Sequence, residues 1–291
     1  MKTIIVPLDF STESLSGLNM ALILANKTGA NIQMVHVMCK NDNTDHIPLV
    51  KEKRLVTLKF EDLLQKYKGK YNPNVVLDYT IQEGKIFEQV TNVAETFEDA
   101  LIVLSAHGSS GFDELFIGGN AYKITSHSRN PVITVRRNFM PLAINKIVLP
   151  LDITFQTREK VPYTAMMAKL FNAEIHLVSV RLSNIKSIED KLHQYIKQVA
   201  SYIGNQKIPY KVEHLQGDNL TDITIDYAKT VNADLISIMT EQEKSVSNLL
   251  LGSYAHQMIN KSLIPVLSFP NYKIRVTTED IWDLGAFNAR N

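Results

Sequence analysis

Four glycines cluster in one fifteen-residue stretch of the chain, SAHGSSGFDELFIGG, which runs from Ser105 to Gly119. The stretch follows the apolar run Leu101–Leu104, which is typical of a buried strand, and it precedes a segment with helical character. A helix that begins after glycine presents free backbone N–H groups, and its dipole adds positive potential there. The stretch therefore predicts an anion site, with a simple chain turn as the alternative.

Other polar residues are predicted to lie at the same edge of a sheet. Asp9 ends the first predicted strand, Val37 lies at the end of the second, and the glycine-rich stretch follows the fourth. Ligands of open parallel sheets bind beyond the carboxyl ends of the strands, where the strand order reverses. His107, within the glycine-rich stretch, is a candidate phosphate contact or proton donor, and a solvent-exposed loop histidine is the alternative. These residues predict a ligand site at one sheet edge.

The chain contains an internal repeat. TIIVPLDFST near the start returns as KIVLPLDITF, so that Asp152 lies 143 positions after Asp9. LFIGG and NPVITV return as LLLGS and IPVLSF, each 134 positions later. We expect a duplicated domain with boundaries at 1–140 and 141–270, and an additional C-terminal tail at 271–291 that carries Trp282.

Each copy alternates short apolar runs with longer segments of helical periodicity, which predicts parallel βαβ units. Ser11 or Thr12 is predicted to cap the first helix, and Gly29 to end it. The fold class expected is α/β, with two tandem doubly wound, mostly parallel five-stranded sheets and helices on both faces. The strands predicted in the first copy are Lys2–Asp9, Asn31–Met38, Val75–Ile81, Leu101–Ser105 and Val132–Val135.

Composition excludes several classes of protein. Thirty-one basic and 30 acidic residues leave a net charge of +1, which argues against nucleic acid or a membrane surface as the main partner. The single cysteine, Cys39, excludes an internal disulfide and a cysteine-based zinc site. No apolar run approaches the roughly 20 residues of a membrane span. We therefore expect a cytoplasmic protein. The sequence shows no enzyme motif and no clustered metal-ligand set, so we predict no metal site and no catalytic residue.

Taken together, the repeat and the glycine spacing resemble a tandem universal stress protein. That family carries a signature of glycine, two residues, glycine, nine residues, glycine and then serine or threonine. In this chain the spacing fits from Ser105 through Gly108 to Gly118 and Gly119. The opening IIVPLDFS is similar to the family's first strand, whose terminal aspartate contacts adenine. The resemblance covers about residues 1–270 and implies a Rossmann-like, adenine nucleotide alpha hydrolase-like fold.

Both copies depart from the signature. In the first copy, Ser105 replaces the leading glycine and Gly119 lacks the terminal hydroxyl, worth about 1 kcal/mol, although Asn120 can take its place. In the second copy, the leading glycines become Met239 and Gln242, which block a close approach of backbone to ligand. Glu241 and Glu243 would lie near the phosphates, where only Lys244 offsets their charge. We therefore expect nucleotide binding in the first copy and a degenerate second copy.

The site residues that follow from the strand ends and the resemblance can be stated for each copy. In the first copy they are Pro7, Leu8, Asp9, Val37, Leu104, Ser105, His107, Gly108, Gly118, Gly119 and Asn120. In the second copy they are Asp152, Val180, Gly252 and Ser253. The resemblance implies ATP or AMP as the ligand, with Mg²⁺ accompanying ATP.

The function implied is a stress-response binding or signalling protein that responds to an adenine nucleotide. An interaction or scaffold protein of the same fold without nucleotide is the first alternative, and a slow ATPase is the second. The resemblance also implies an internal pseudo-dimer through the last strands, Val132–Val135 and Val266–Phe269, and it leaves open a further homodimer and an unknown protein partner.

Overall fold

A computed structural model describes residues 1–38, 49–106, 118–136, 143–152, 156–181, 186–240, 242–243 and 250–270. The chain forms two compact units, one consisting mainly of Met1–Leu142 and the other mainly of the residues from Ala143 onward, and we call these two stretches the first and the second domain. Each domain is an α/β unit built on a parallel sheet. None of the helices in the described part of the chain combines the length and apolarity that crossing a bilayer requires.

The first domain is a five-stranded sheet in the order β3-β2-β1-β4-β5, and every neighbouring pair is parallel. The strand order reverses between β1 and β4. The chain places β2 and β3 on one side of β1, and then β4 and β5 on the other side. The elements are β1 (Thr3–Pro7), α1 (Thr12–Thr28), β2 (Asn31–Met38), α2 (Leu49–Tyr67), β3 (Leu77–Glu83), α3 (Ile86–Glu95), β4 (Ala100–Ser105), α4 (Gly119–His127) and β5 (Val132–Val135).

The second domain repeats this order as β8-β7-β6-β9-β12, again with parallel neighbours. Its elements are β6 (Lys146–Leu151), a 3₁₀ turn (Gln156–Arg158), α5 (Val161–Phe171), β7 (Glu174–Arg181), α6 (Lys186–Asn205), β8 (Tyr210–Gln216), α7 (Leu220–Thr230), β9 (Leu235–Thr240), β10 (Gln242–Glu243), β11 (Leu250–Leu251), α8 (Ser253–Lys261) and β12 (Val266–Pro270). The two short strands β10 and β11 pair with each other. The predicted fold class is confirmed.

The ends of α1 follow from local sequence. The Ser11 hydroxyl accepts a hydrogen bond from the Ser14 N–H at 3.1 Å, which satisfies one of the free donors of the first turn. Gly29 ends the helix in the left-handed conformation, with φ 74°, and its N–H donates to the Ala25 carbonyl. Asn172, 143 positions later, ends α5 in the same conformation, with φ 55°. The predicted cap and stop of α1 are confirmed.

In the first domain, two strands differ from their predicted bounds by two residues. β1 ends at Pro7 rather than Asp9, so the aspartate lies beyond the strand. β3 begins at Leu77 rather than Val75, because the Val75 N–H closes a turn onto the Asn72 carbonyl at 2.9 Å. The Val76 N–H is taken by the Asn31 side chain at 2.9 Å, which delays the start of the ladder.

One cluster of the first domain's core lies between the sheet and the helices α3 and α4. Ile5, Val35 and Leu104, from three adjacent strands, pack with Ala121 and Ile124 of α4. All five side chains are buried. This cluster fixes the start of α4 against the carboxyl ends of β1, β2 and β4. The edge of the sheet where the ligand site was predicted is therefore held in place by the core itself.

A buried histidine ties β7 to α7 in the second domain. His176 hydrogen-bonds the Tyr227 hydroxyl through Nδ1 at 2.7 Å and Glu174 Oε2 through Nε2 at 2.9 Å. Lys211 Nζ lies 3.4 Å from the same carboxylate oxygen. Burial, followed by the charges of Glu213 and Glu174, raises the pKa of Tyr227 to about 12. The neutral form of this phenol is thus the form that the folded domain stabilises.

Between about pH 10 and about pH 12, we expect the stability of the second domain to fall more steeply in the wild type than in Tyr227→Phe. The folded-state pKa of Tyr227 lies above its unfolded value, so the unfolded chain loses the phenolic proton first. The contribution of Tyr227 to the free energy of unfolding is fully present below about pH 10 and is lost as the pH rises toward 12. Urea unfolding across this range measures the difference in slope. The exposed tyrosine variant Tyr210→Phe serves as the control and should keep the wild-type slope.

Candidate functional site

A cavity of about 140 Å³ opens where the strand order of the first domain reverses. Nine of the residues predicted from sequence line it: Pro7, Leu8, Asp9, Val37, Leu104, Ser105, Gly118, Gly119 and Asn120. Six further residues line it that were not predicted: Ser14, Val35, His36, Ile86, Ala121 and Ile124. The other two predicted residues of this site, His107 and Gly108, lie outside the described part of the chain. The binding role of each lining residue stays a prediction.

One wall of the cavity is the N-terminus of α4. Gly118 is the N-cap in an extended conformation, and no side chain among the described residues caps the helix there. The Gly118 N–H donates to the Ala106 carbonyl at 2.7 Å, and the Ala106 N–H donates to the Val135 carbonyl at 2.8 Å. These bonds anchor the start of α4 to the carboxyl ends of β4 and β5. The exposed Gly119 and Asn120 carry N–H groups of the first turn, which have no partner within a helix and suit an anion.

Asp9 also lines the cavity, just beyond the end of β1. One carboxylate oxygen, Oδ1, accepts hydrogen bonds from the N–H of Ser11 at 2.9 Å and from the Ser11 hydroxyl. The same hydroxyl caps α1 through Ser14, so the aspartate is tied to the start of the helix. The carboxylate is exposed to solvent. Asp9 is therefore positioned to accept hydrogen bonds at the end of β1.

Phe10 holds the segment between Asp9 and α1. Its backbone is in the left-handed region, with φ 65°, which is uncommon for a residue with a bulky side chain. The ring packs 5.2 Å from the His36 ring and 4.9 Å, edge-on, from Phe60, as measured between centroids. Phe60 in turn stacks on Tyr79 at 4.3 Å. Aromatic packing thus maintains the strained backbone beside the carboxylate.

His36 is a cavity residue that sequence reasoning did not assign to the site. It lies between two valines of β2, a pattern that favours a packing role. Its Nδ1 lies 2.7 Å from the Leu8 carbonyl, and since a carbonyl only accepts, Nδ1 carries the hydrogen. A second bond, from the Leu8 N–H to the Val35 carbonyl at 2.8 Å, continues the β1–β2 pairing past the strand end. Together they fix the Leu8 backbone at the cavity.

Gly17, in the middle of α1, also positions the site and was not predicted. A Cβ at this position would lie 3.3 Å from the Leu104 Cα and 3.4 Å from the Ser105 backbone nitrogen. The absent side chain lets α1 approach the end of β4 closely. A glycine within a helix costs about 1 kcal/mol relative to alanine, so this one is explained by packing.

The second domain differs at the equivalent positions. Lys160 lies 143 positions after Gly17, at the point where α5 begins, and it is buried together with Thr157 and Arg158. Lys160 Nζ donates to the Thr157 hydroxyl at 3.2 Å, and the Asp152 N–H donates to the same hydroxyl at 3.3 Å. The Arg158 guanidinium lies over the ring of Tyr195, 4.0 Å from its centroid. Cationic side chains thus stand where the first domain has glycine and apolar residues.

The remaining predicted residues of the second domain lie where the repeat places them. Gly252 is the N-cap of α8 and Ser253 its first residue, as Gly118 and Gly119 are for α4. Val180 lies near the carboxyl end of β7. Two of the altered signature residues, Met239 and Gln242, lie in β9 and β10, whereas Glu241 and Lys244 lie outside the described residues. The described residues of the second domain assign no ligand to it.

Comparison with protein families identifies the chain. The sequence profile of the universal stress protein family matches residues 1–136 and, a second time, residues 143–270. The chain belongs to the universal stress protein family. It is a tandem member, because the two matches cover both copies of the repeat. Among the curated proteins compared by sequence, none matches the chain.

Solved structures of similar length share the fold of this tandem universal stress protein. The chain is similar to a universal stress protein from Archaeoglobus fulgidus DSM 4304, with 16% identity, a TM-score of 0.74 and coverage of 93% of this chain and 98% of that one. It is also similar to a functionally unknown protein from Pseudomonas aeruginosa PAO1, with 15% identity and a TM-score of 0.69. That match covers 100% of this chain and 98% of the other. At these identities the likeness shows the fold alone.

Proposed function

We propose that the first domain binds an adenine nucleotide, ATP or AMP, and that the protein acts as a nucleotide-responsive binding or signalling module in a stress response. The observation that carries this proposal is the cavity that both Asp9 and the uncapped N-terminus of α4 line. Such a pair of groups suits a ligand that has hydrogen-bond donors at one end and negative charge at the other.

The base would lie against the ends of β1 and β2. The Asp9 carboxylate accepts hydrogen bonds, as the exocyclic amino group of adenine requires, and Leu8 and Val37 also line the cavity. Apolar side chains from Val35, Ile86 and Ile124 complete the lining. A concave, mostly apolar lining with a few polar groups is the usual form of a small-molecule site.

The phosphates would lie over the first turn of α4. None of the fifteen residues that line the described cavity is a lysine or an arginine. Negative charge would therefore be bound by backbone N–H groups and the helix dipole, each worth modest free energy in an exposed site. Reversible rather than permanent occupancy follows, which suits a module that responds to nucleotide concentration. In our proposal the second domain is a degenerate copy that contributes packing.

The described cavity also bears on magnesium. Among the described residues, no group of three or more histidine, cysteine, aspartate or glutamate side chains could hold a metal ion. Mg²⁺ would then arrive with the ATP phosphates, as it commonly does, rather than occupy a site of its own.

The internal pairing of the two domains through their last strands and the cytoplasmic location stay predictions.

Gly119→Ser is expected to tighten ATP binding by about fivefold. A Cβ at Gly119 meets nothing within 4 Å, so the side chain fits, and its hydroxyl supplies the hydrogen bond to phosphate that the family signature includes. A bond of this kind contributes about 1 kcal/mol. Calorimetric titration with ATP and with AMP measures the change, and Ser253→Gly is the matched change in the second domain.

The titration also separates the alternatives. The proposal requires that the wild type bind ATP or AMP, and that Ser253→Gly leave the affinity unchanged. If neither nucleotide binds the wild type at millimolar concentration, the scaffold alternative replaces this proposal. Phosphate release that depends on the same cavity would instead support the slow ATPase.

A further inference from the structure

Two exposed histidines lie side by side on the second domain. His193 belongs to α6 and His214 to β8, and their ring centroids are 5.1 Å apart with the planes inclined at 58°. The two residues are 21 positions apart in the chain, and they meet because α6 crosses over between β7 and β8. The spacing of the two histidines matches no metal-binding sequence motif, which explains why the sequence predicted no metal site.

We propose that His193 and His214 together bind one divalent transition-metal ion, Zn²⁺ or Cu²⁺. Imidazole nitrogens bind Zn²⁺ at about 2.0–2.1 Å, and two imidazoles on one tetrahedral ion then have centroids about 5 Å apart. The observed separation of 5.1 Å agrees with this value. The two ring centroids thus already lie at the separation that a shared ion requires. Imidazole favours Zn²⁺, Cu²⁺ and Ni²⁺ over the oxygen-seeking Mg²⁺ and Ca²⁺.

A buried serine orients one of the two rings. The Ser179 hydroxyl lies 2.6 Å from His214 Nδ1, and Ser179 is buried. The two residues are direct partners in the β7–β8 register, so the strand pairing sets this contact. With Nδ1 engaged, Nε2 is the nitrogen of His214 that serves the metal. Histidine ligands are commonly held by a hydrogen bond of this kind on the other ring nitrogen.

The rest of the coordination sphere would be water. Within the part of the chain that the structure describes, no group of three or more histidine, cysteine, aspartate or glutamate side chains could hold a metal ion. A two-histidine site keeps open positions, so the ion exchanges with solution. It would still stabilise the second domain, because it binds the folded arrangement of α6 and β8 and not the unfolded chain.

Calorimetric titration of tag-free, chelator-treated protein with ZnCl₂ and with CuCl₂ tests this proposal. We expect one ion per chain. Loss of the group that hydrogen-bonds a metal ligand typically weakens metal binding by about 10- to 100-fold, and we expect a loss in this range for Ser179→Ala. His193→Gln and His214→Gln each remove a ligand itself and should weaken binding by at least as much. Because each single variant already loses the chelate, the loss of affinity in the double variant His193→Gln/His214→Gln should be much smaller than the two single losses combined.

An exposed histidine on another helix supplies the control. His256, in α8, is exposed, and His256→Gln should keep the wild-type affinity. Wild-type affinity in either of the two single variants would overturn the proposal. So would losses that add in the double variant, or an equal loss in His256→Gln, because both indicate independent surface ligands rather than one chelate.

Discussion

Phe60→Ala is expected to lower the free energy of unfolding of the first domain by about 3–5 kcal/mol. Phe60 is 0% exposed, stacks on Tyr79 and supports the ring of Phe10. The substitution removes a large buried side chain and leaves a cavity at the centre of this aromatic group. It should also release the left-handed backbone at Phe10 and loosen the position of Asp9.

Hydrogen exchange of peptides from α2 and β3, measured across a urea series, reports the stability of the first domain separately from the second. This matters because unfolding of a two-domain chain need not be two-state. The control is Leu58→Ala on the same helix, whose side chain is 48% exposed and whose loss should change stability by about 0.5 kcal/mol or less. Equal effects of the two substitutions would show that the aromatic group does not support the domain.

For ligand binding, the largest effect is expected from Asp9→Ala, which should weaken ATP binding by about 10- to 100-fold. A hydrogen bond to a charged group contributes about 1.5–3 kcal/mol, and the variant removes the acceptor proposed for the adenine amino group. The ratio of ATP to GTP affinity should fall as well, because guanine has a carbonyl oxygen at that position, which a carboxylate repels. Competitive titration measures both quantities.

Asp9 also accepts hydrogen bonds from Ser11, so a purely structural role must be distinguished. Damage to the start of α1 would weaken ATP and GTP equally, whereas loss of a base contact changes their ratio. Asp152→Ala, the matched change in the second domain, should leave both affinities at wild-type values. An unchanged ratio in Asp9→Ala would contradict the assignment of Asp9 to the base.

The fold and much of the cavity lining could be predicted because they depend on periodic and repeated features. The alternation of strand and helix predicted two parallel sheets, and the strand ends predicted where polar residues converge. Ser11 and Gly29 marked the ends of α1 through side-chain chemistry that acts within a few residues. Interactions of this kind join residues a few positions apart, so they can be predicted from a short stretch of sequence.

The residues that were missed depend on contacts between distant segments. His36 resembles any polar residue in a strand until the β1–β2 pairing brings its ring to the Leu8 carbonyl. Gly17 resembles a weak point of a helix until the backbone of β4 is placed against it. The pairing of His193 with His214 requires the crossover through α6. Single-sequence patterns do not contain these distances.

The central claim is that one adenine nucleotide binds per chain, in the cavity of the first domain. Native mass spectrometry of the intact chain with ATP counts bound nucleotides directly, and the Asp9→Ala and Asp152→Ala variants locate them. The account predicts one nucleotide per chain, which is lost in Asp9→Ala and kept in Asp152→Ala. A chain that binds no nucleotide, binds two, or loses its nucleotide only in Asp152→Ala would contradict it.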